Sequence, residues 1–128
     1  MADNVFTYQI QIRLINDELN DNYVSPSLQS DQASARLIRN VQNVGATEEA
    51  IETGDVITPG WSVWSNLEDD PDVDPYVEVG SYVGGTFYPF LRVNPQEQML
   101  CRLGISTAQL YAKASTGTVE LFYIIYDD

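Results

Sequence analysis

The chain has 128 residues, 44% of them hydrophobic and 20% charged, the proportions of one ordinary globular domain able to bury a core without disulfides or metals. Nineteen Asp and Glu stand against six scattered cations (Arg13, Arg36, Arg39, Arg92, Arg102 and Lys113), a formal net charge of -13 that argues against binding nucleic acid or an anionic membrane. The one cysteine, Cys101, excludes an intramolecular disulfide and, within Met99-Leu100-Cys101-Arg102-Leu103, reads as a buried inert thiol.

Period-two alternation dominates, and it sets successive side chains on opposite faces of a strand. Over residues 6–14, Phe6, Tyr8, Ile10, Ile12 and Leu14 face one way, and Thr7, Gln9, Gln11 and Arg13 the other. A strand with one dry and one wet face is expected there. Residues 16–31 are rich in Asn, Asp and Ser and carry Pro26, so they read as a loop with at most a short edge strand at Tyr23 and Val24. Residues 1–32 then supply either an extra edge strand or an arm reaching a neighbour.

Residues 33–44 resume the β pattern, with Ala35, Leu37 and Val41 on one face and Arg36 and Ile38 on the other. Residues 47–53 favour a strand over a helix because seven residues are short for a helix. Gly54-Asp55 and Pro59-Gly60 read as turns, leading into a strand over 61–67. Residues 68–75 form an acidic loop punctuated by Pro71 and Pro75. Strands over 76–83 and 86–93 flank Gly84-Gly85, a hairpin signal because primed turns need positive φ at both central residues. Further strands are expected over 97–103, 110–114 and 118–126, with turns at Asn94-Pro95, at 104–107 and at 115–117.

The last strand is apolar on both faces: Val119, Leu121, Tyr123 and Ile125 alternate with Glu120, Phe122, Ile124 and Tyr126. Such a strand has to be covered on both sides, by its own domain or by a neighbouring subunit. Eight or nine short strands with regular turns predict a single antiparallel β-sandwich over 1–128, jelly-roll-like in form. No apolar run is long enough to span a bilayer, and Met1 to Asn4 carry no basic stretch leading into an apolar one, so neither a membrane span nor a secretory leader is expected.

Histidine is absent, which removes the commonest general base and the usual partner of a Ser or Cys nucleophile. Of the acids, Glu78, Glu97 and Glu120 fall inside predicted strands and read as ordinary solvent-facing residues. No catalytic residue and no cofactor is expected, and the protein reads as non-enzymatic. Asp69, Asp70, Asp72 and Asp74 are the candidate ligands for Ca²⁺, a hard cation wanting six to eight oxygens, but their loop lacks the glycine and distal Glu of an EF-hand. The simpler reading is a solvated turn. Trp61, Trp64, Tyr76, Tyr82, Tyr123 and Tyr126 are the interface candidates, since Trp and Tyr suit sites with one dry and one wet side. Trp61 and Trp64 are three apart and point to opposite faces of a strand, so at least one should lie near the surface.

The stretches Val41-Gln42-Asn43-Val44-Gly45-Ala46-Thr47-Glu48-Glu49-Ala50, Gly54-Asp55 through Pro59-Gly60-Trp61, Tyr76-Val77-Glu78-Val79-Gly80, Gly85-Thr86-Phe87-Tyr88-Pro89-Phe90-Leu91 and Leu110-Tyr111-Ala112-Lys113-Ala114 carry a resemblance. Through them the sequence from Val41 onward resembles small structural proteins of tailed bacteriophages. The resemblance implies a virion component, assembled in the host cytoplasm: a capsid decoration or cement protein that binds the major capsid protein from outside as a homotrimer. In that group the connection at 68–75 is shorter, so the acidic loop is an insertion and no shared Ca²⁺ site follows. A tail, neck or fibre component, and a carbohydrate-binding module using Trp61 or Trp64 as a stacking platform, are the alternatives.

Overall fold

The computed structural model describes residues 5–15, 17–18, 20–31 and 36–128. The described residues form β1 (Val5–Tyr8), β2 (Gln11–Ile15), β3 (Asn20–Val24), β4 (Leu28–Asp31), β5 (Leu37–Gly45), β6 (Glu49–Ala50), β7 (Pro59–Asn66), β8 (Val77–Val83), β9 (Thr86–Val93), β10 (Gln98–Arg102), β11 (Leu110–Ala114) and β12 (Thr118–Asp127), with one 3-10 turn over Thr107–Gln109. Contacts divide the chain into two compact units, Met1–Ser34 and Ala35–Asp128. The sandwich expected over 1–128 is therefore confined to the second unit.

That unit is an antiparallel β-sandwich of eight strands. One sheet has the order β10-β7-β12-β5, the other β6-β11-β8-β9. The pairing is nested: β5 with β12, β6 with β11, β7 with β10 and β8 with β9. Inward-facing Val44, Trp64, Val119, Leu121, Tyr123 and Ile125 of the first sheet meet Val77, Val79, Leu91, Val93, Leu110, Ala112 and Ala114 of the second in one buried cluster. Burying an aliphatic or aromatic side chain of this kind contributes about 1.5 to 3 kcal/mol, which makes this cluster the main stabilising element of the unit. β12 lies between β5 and β7, so its doubly apolar pattern has a central place in its sheet.

Local chemistry sets the strand ends. Gly84 and Gly85 take φ of 60° and 81°, the two positive values that a primed hairpin turn requires. Between Val79 and Gly80 the β8–β9 register shifts, and a Cβ on Gly80 would stand 2.3 Å from the Tyr88 carbonyl oxygen, so only glycine fits.

Several expectations are corrected. Residues 6–14 are two strands rather than one, and 16–31 contain β3 and β4 rather than a loop. β1 pairs with β4 and β2 with β3, and between these ladders Gln9 and Ile10 lie opposite Ser25, Pro26 and Ser27. The ladders stay joined at that mismatch: Ser25 N–H donates to the Ile10 carbonyl, Ile10 N–H donates to Ser25 Oγ, both at 2.8 Å, and Gln9 Nε2 donates to the Ser25 carbonyl at 3.1 Å. The first unit is thus one two-stranded ribbon with a break. Pro59-Gly60 opens β7 instead of forming a turn, with Pro59 opposite Asp127. In β5 the inward face carries Ile38, Asn40, Gln42 and Val44, while Leu37 and Val41 point outward. Residues 33–35, including Ala35, lie outside the described residues.

Candidate interaction surface

The alternation along β7 separates the two tryptophans. Trp64 points inward, fully buried, with its ring stacked on that of Tyr123 at 5.2 Å between centroids. Its Nε1–H donates to Ser62 Oγ at 2.8 Å, and Ser62 Oγ donates to the Cys101 carbonyl at 3.0 Å. Tyr123 is equally enclosed: its hydroxyl donates to the Glu52 carbonyl at 2.6 Å and accepts from Asn40 Nδ2 at 3.1 Å. Burial pushes the Tyr123 hydroxyl above the ordinary tyrosine pKa, helped by the charge of Glu52 and opposed by the hydrogen bonds to Asn40 and the Glu52 backbone. Trp64 and Tyr123 are therefore withdrawn as interface candidates, and Trp64 as a sugar platform. Both are core, because a buried indole or phenol needs a hydrogen-bond partner and each has one.

Trp61 and Tyr126 lie on the other side of the same sheet, half-buried. The register aligns their surroundings: Phe122 stands between Val41 and Ser65, Ile124 between Arg39 and Val63, and Tyr126 beside Leu37. β10 extends the rows with Leu100 opposite Val63 and Arg102 opposite Trp61. The outer face of the β10-β7-β12-β5 sheet is thus a largely apolar strip reaching all four strands, interrupted by Arg39, Ser65 and Arg102, with Leu37 47% and Val41 50% exposed. The Arg102 guanidinium lies over the Trp61 ring at 5.8 Å and pairs with Asp128. Sequence reasoning missed Leu37, Val41, Phe122 and Leu100 as surface residues, although the doubly apolar pattern of β12 pointed to this side.

Tyr82 belongs to the second sheet, in β8, and Tyr76 stands just before that strand. Tyr82 stacks on Tyr111 at 4.6 Å, and Arg92 lies 3.9 Å over the Tyr76 ring. Glu78 is in register with Arg92 on one side and Lys113 on the other, so this face mixes aromatic rings with both signs of charge. The structure keeps these tyrosines apart from Trp61 and Tyr126, at a different sheet.

The acidic loop is tied to itself. Asp70 Oδ1 accepts the Asp72 N–H and Asp74 Oδ2 the Asp70 N–H, both at 2.9 Å, as expected of a turn whose side chains satisfy its own backbone. Among the described residues no three acidic, cysteine or histidine side chains are placed to share a metal ion.

Asp127 was not singled out by sequence, yet it is 1% exposed and fully engaged. Oδ1 accepts the N–H groups of Ile57 and Thr58 at 2.9 and 2.7 Å, and Oδ2 pairs with the Arg36 guanidinium at 2.9 Å. It anchors the 57–58 loop to the end of β12. Nearby, an open groove of about 480 Å³ runs between Ile57, Pro59, Leu103 and Ile105, with the Arg102–Asp128 pair in its wall.

No family model matches the chain, and no curated protein or solved structure matches it.

Proposed function

We propose that this chain is a non-enzymatic structural subunit of a bacteriophage particle, a capsid decoration or cement protein that binds the outside of the shell and stabilises it as a homotrimer. The sequence motifs between Val41 and Ala114 support the virion setting. The mode of action rests on one observation, the largely apolar strip on the outer face of the β10-β7-β12-β5 sheet. A chain with a net charge of -13 repels its own copies and other acidic proteins, so a surface poor in acids is where contacts form most easily. Trp61, Tyr126 and Arg102 are residue types favoured in such contacts. The acids elsewhere suit an outward surface that keeps assembled particles dispersed.

Quantitative protein analysis of purified particles tests this. The expected result is a high copy number at a fixed ratio to the major capsid protein, with particles stripped of the subunit binding it again from solution. Val41→Glu, which adds a charge at an exposed position without touching the core, should prevent that rebinding. Absence from purified virions refutes the proposal, and a few copies per particle would place the protein in a tail, neck or fibre instead.

A further inference from the structure

Residues 51–56 lead away from the second sheet, where β6 ends at Ala50, toward the first, where β7 begins at Pro59. They run beside β5 and seal that side of the sandwich with Ile51 and Val56, each 4% exposed. The opposite side is more open, with a cleft of about 230 Å³ lined by Phe90 of β9, Arg102 of β10, Leu103 and Ile105.

This crossing is not held as a strand is held. One backbone bond ties it to a neighbouring strand, from Ile51 N–H to the Leu110 carbonyl at 2.9 Å. Most of the remaining attachment comes from one side chain. Gln42, on the inward face of β5, donates from Nε2 to the Ala50 carbonyl at 2.9 Å and to Glu49 Oε1 at 3.1 Å, and its Oε1 accepts the Glu52 N–H at 3.0 Å. The carbonyl and the N–H on either side of Ile51 are the pair that one residue of an adjoining parallel strand would take, so the Gln42 amide stands in for a strand. The Tyr123 hydroxyl adds a bond to the Glu52 carbonyl at 2.6 Å. Both Nε2 hydrogens meet acceptors and Oε1 meets a donor, so the amide has one orientation and a carboxylate cannot replace it.

Bonds from a side chain break by a change of rotamer, without parting a ladder, and those from Gln42 to Ala50 and Glu52 are exposed to water. A segment with few bonds to neighbouring backbone, and with water at those it has, lies at the low end of the stability range within a fold. The ladder behind it is continuous, with β12 paired to β5 from Thr118 to Tyr126.

We propose that residues 51–56 form a strap that opens as a unit while both sheets stay intact, with the Gln42 amide as its latch. Opening admits water to the Tyr123 hydroxyl and to the inner face of β5. The motion is independent of the binding role proposed above.

Native-state amide exchange of the full chain over low urea concentrations tests this, with Ile51 and Glu52 reporting on the strap and Leu121 and Tyr123 on the sheets. In the wild type Ile51 and Glu52 should be at least about tenfold less protected than Leu121 and Tyr123, with a weaker dependence on urea, because the opening exposes little surface. Gln42→Ala should speed both strap reporters by roughly tenfold, the effect of losing two or three exposed hydrogen bonds. Gln42→Glu keeps the shape but turns a second oxygen toward the Ala50 carbonyl and the Glu49 carboxylate, and should speed them at least as much. Leu91→Val, a mild loss in the core at β9, should speed Leu121 and Tyr123 by about fourfold and leave Ile51 and Glu52 unchanged, since the contact it removes survives opening of the strap. Strap reporters that match Leu121 and Tyr123 in protection and urea dependence, or that Leu91→Val speeds equally, overturn the strap. A Gln42→Glu chain that exchanges like the wild type, or a Gln42→Ala chain with Ile51 and Glu52 unmoved, overturns the latch.

Discussion

The ribbon of residues 5–31 and the sandwich of residues 36–128 are written in the same period-two pattern and end in opposite states. In β12 every second residue from Val119 to Ile125 is fully buried, whereas in β2 all five residues are exposed. The difference is the layer opposite. β12 faces a second four-stranded sheet across the core, while β2 and β3 have only each other. Alternation therefore reports that a strand has two unlike faces, and only the presence of another layer makes one of them dry.

The sharpest way to break this comparison is to remove one large side chain from each region. Trp64→Ala should cost about 3 to 5 kcal/mol, because it empties the centre of the sandwich and leaves Ser62 Oγ and the Tyr123 ring without their partner. Ile12→Ala, measured in dilute solution, should fall within about 0.5 kcal/mol of the wild type. Urea unfolding of both variants gives the two values, and comparable losses would mean that the ribbon face is already covered within one chain.

A smaller effect is expected at Asp127, the polar anchor of the sandwich. Asp127→Ala removes acceptors from Ile57, Thr58 and Arg36 together. Leaving two backbone N–H groups unsatisfied should cost about 2 to 3 kcal/mol, with Arg36 adding little because half of its side chain is exposed and can be hydrated. Thermal unfolding checks this, and amide exchange should show protection lost first at Ile57 and Thr58. No residue of the ribbon should give a comparable loss.

The smallest effect is a pH dependence confined to the sandwich. Burial raises the pKa of Tyr123 above its ordinary value of 10.0, so in the folded chain the hydroxyl keeps its proton at a pH where the unfolded chain has lost it. The unfolded state then binds fewer protons, and stability falls as pH rises. The contribution is fully present below pH 10.0 and is lost progressively above it, through the folded value. Denaturant midpoints should be level up to that point and decline beyond it. Tyr123→Phe should flatten the decline, at the cost of the Asn40 and Glu52 hydrogen bonds.

Much of the sandwich was legible in advance because its punctuation is local. Gly84-Gly85 marked the hairpin through the positive φ that both positions need, and the strands over 86–93 and 110–114 are bounded as the pattern indicated. The N-terminal region was less legible. Residues 20–31 pair as strands although Asn, Asp and Ser favour turns, because the ladder to 5–15 satisfies their backbone. Trp61 and Trp64 were correctly expected on opposite faces, but the sequence held no indication of which one was inside.

By itself the sequence determined an all-β chain, the turns of its second half, the central character of the last strand and the acidity of its surface. These follow from backbone sterics, side-chain alternation and charge, which act over a few residues or over the whole composition. Only the tertiary structure decided that Ile38 and Val44, not Leu37 and Val41, face the core, and that Trp64 and Tyr123 are enclosed. It alone showed that Asp127 is an anchor and that the face of Ile12 and Leu14 lies open. Each of these depends on which surface lies across from a strand, and residues far apart in the chain supply that surface.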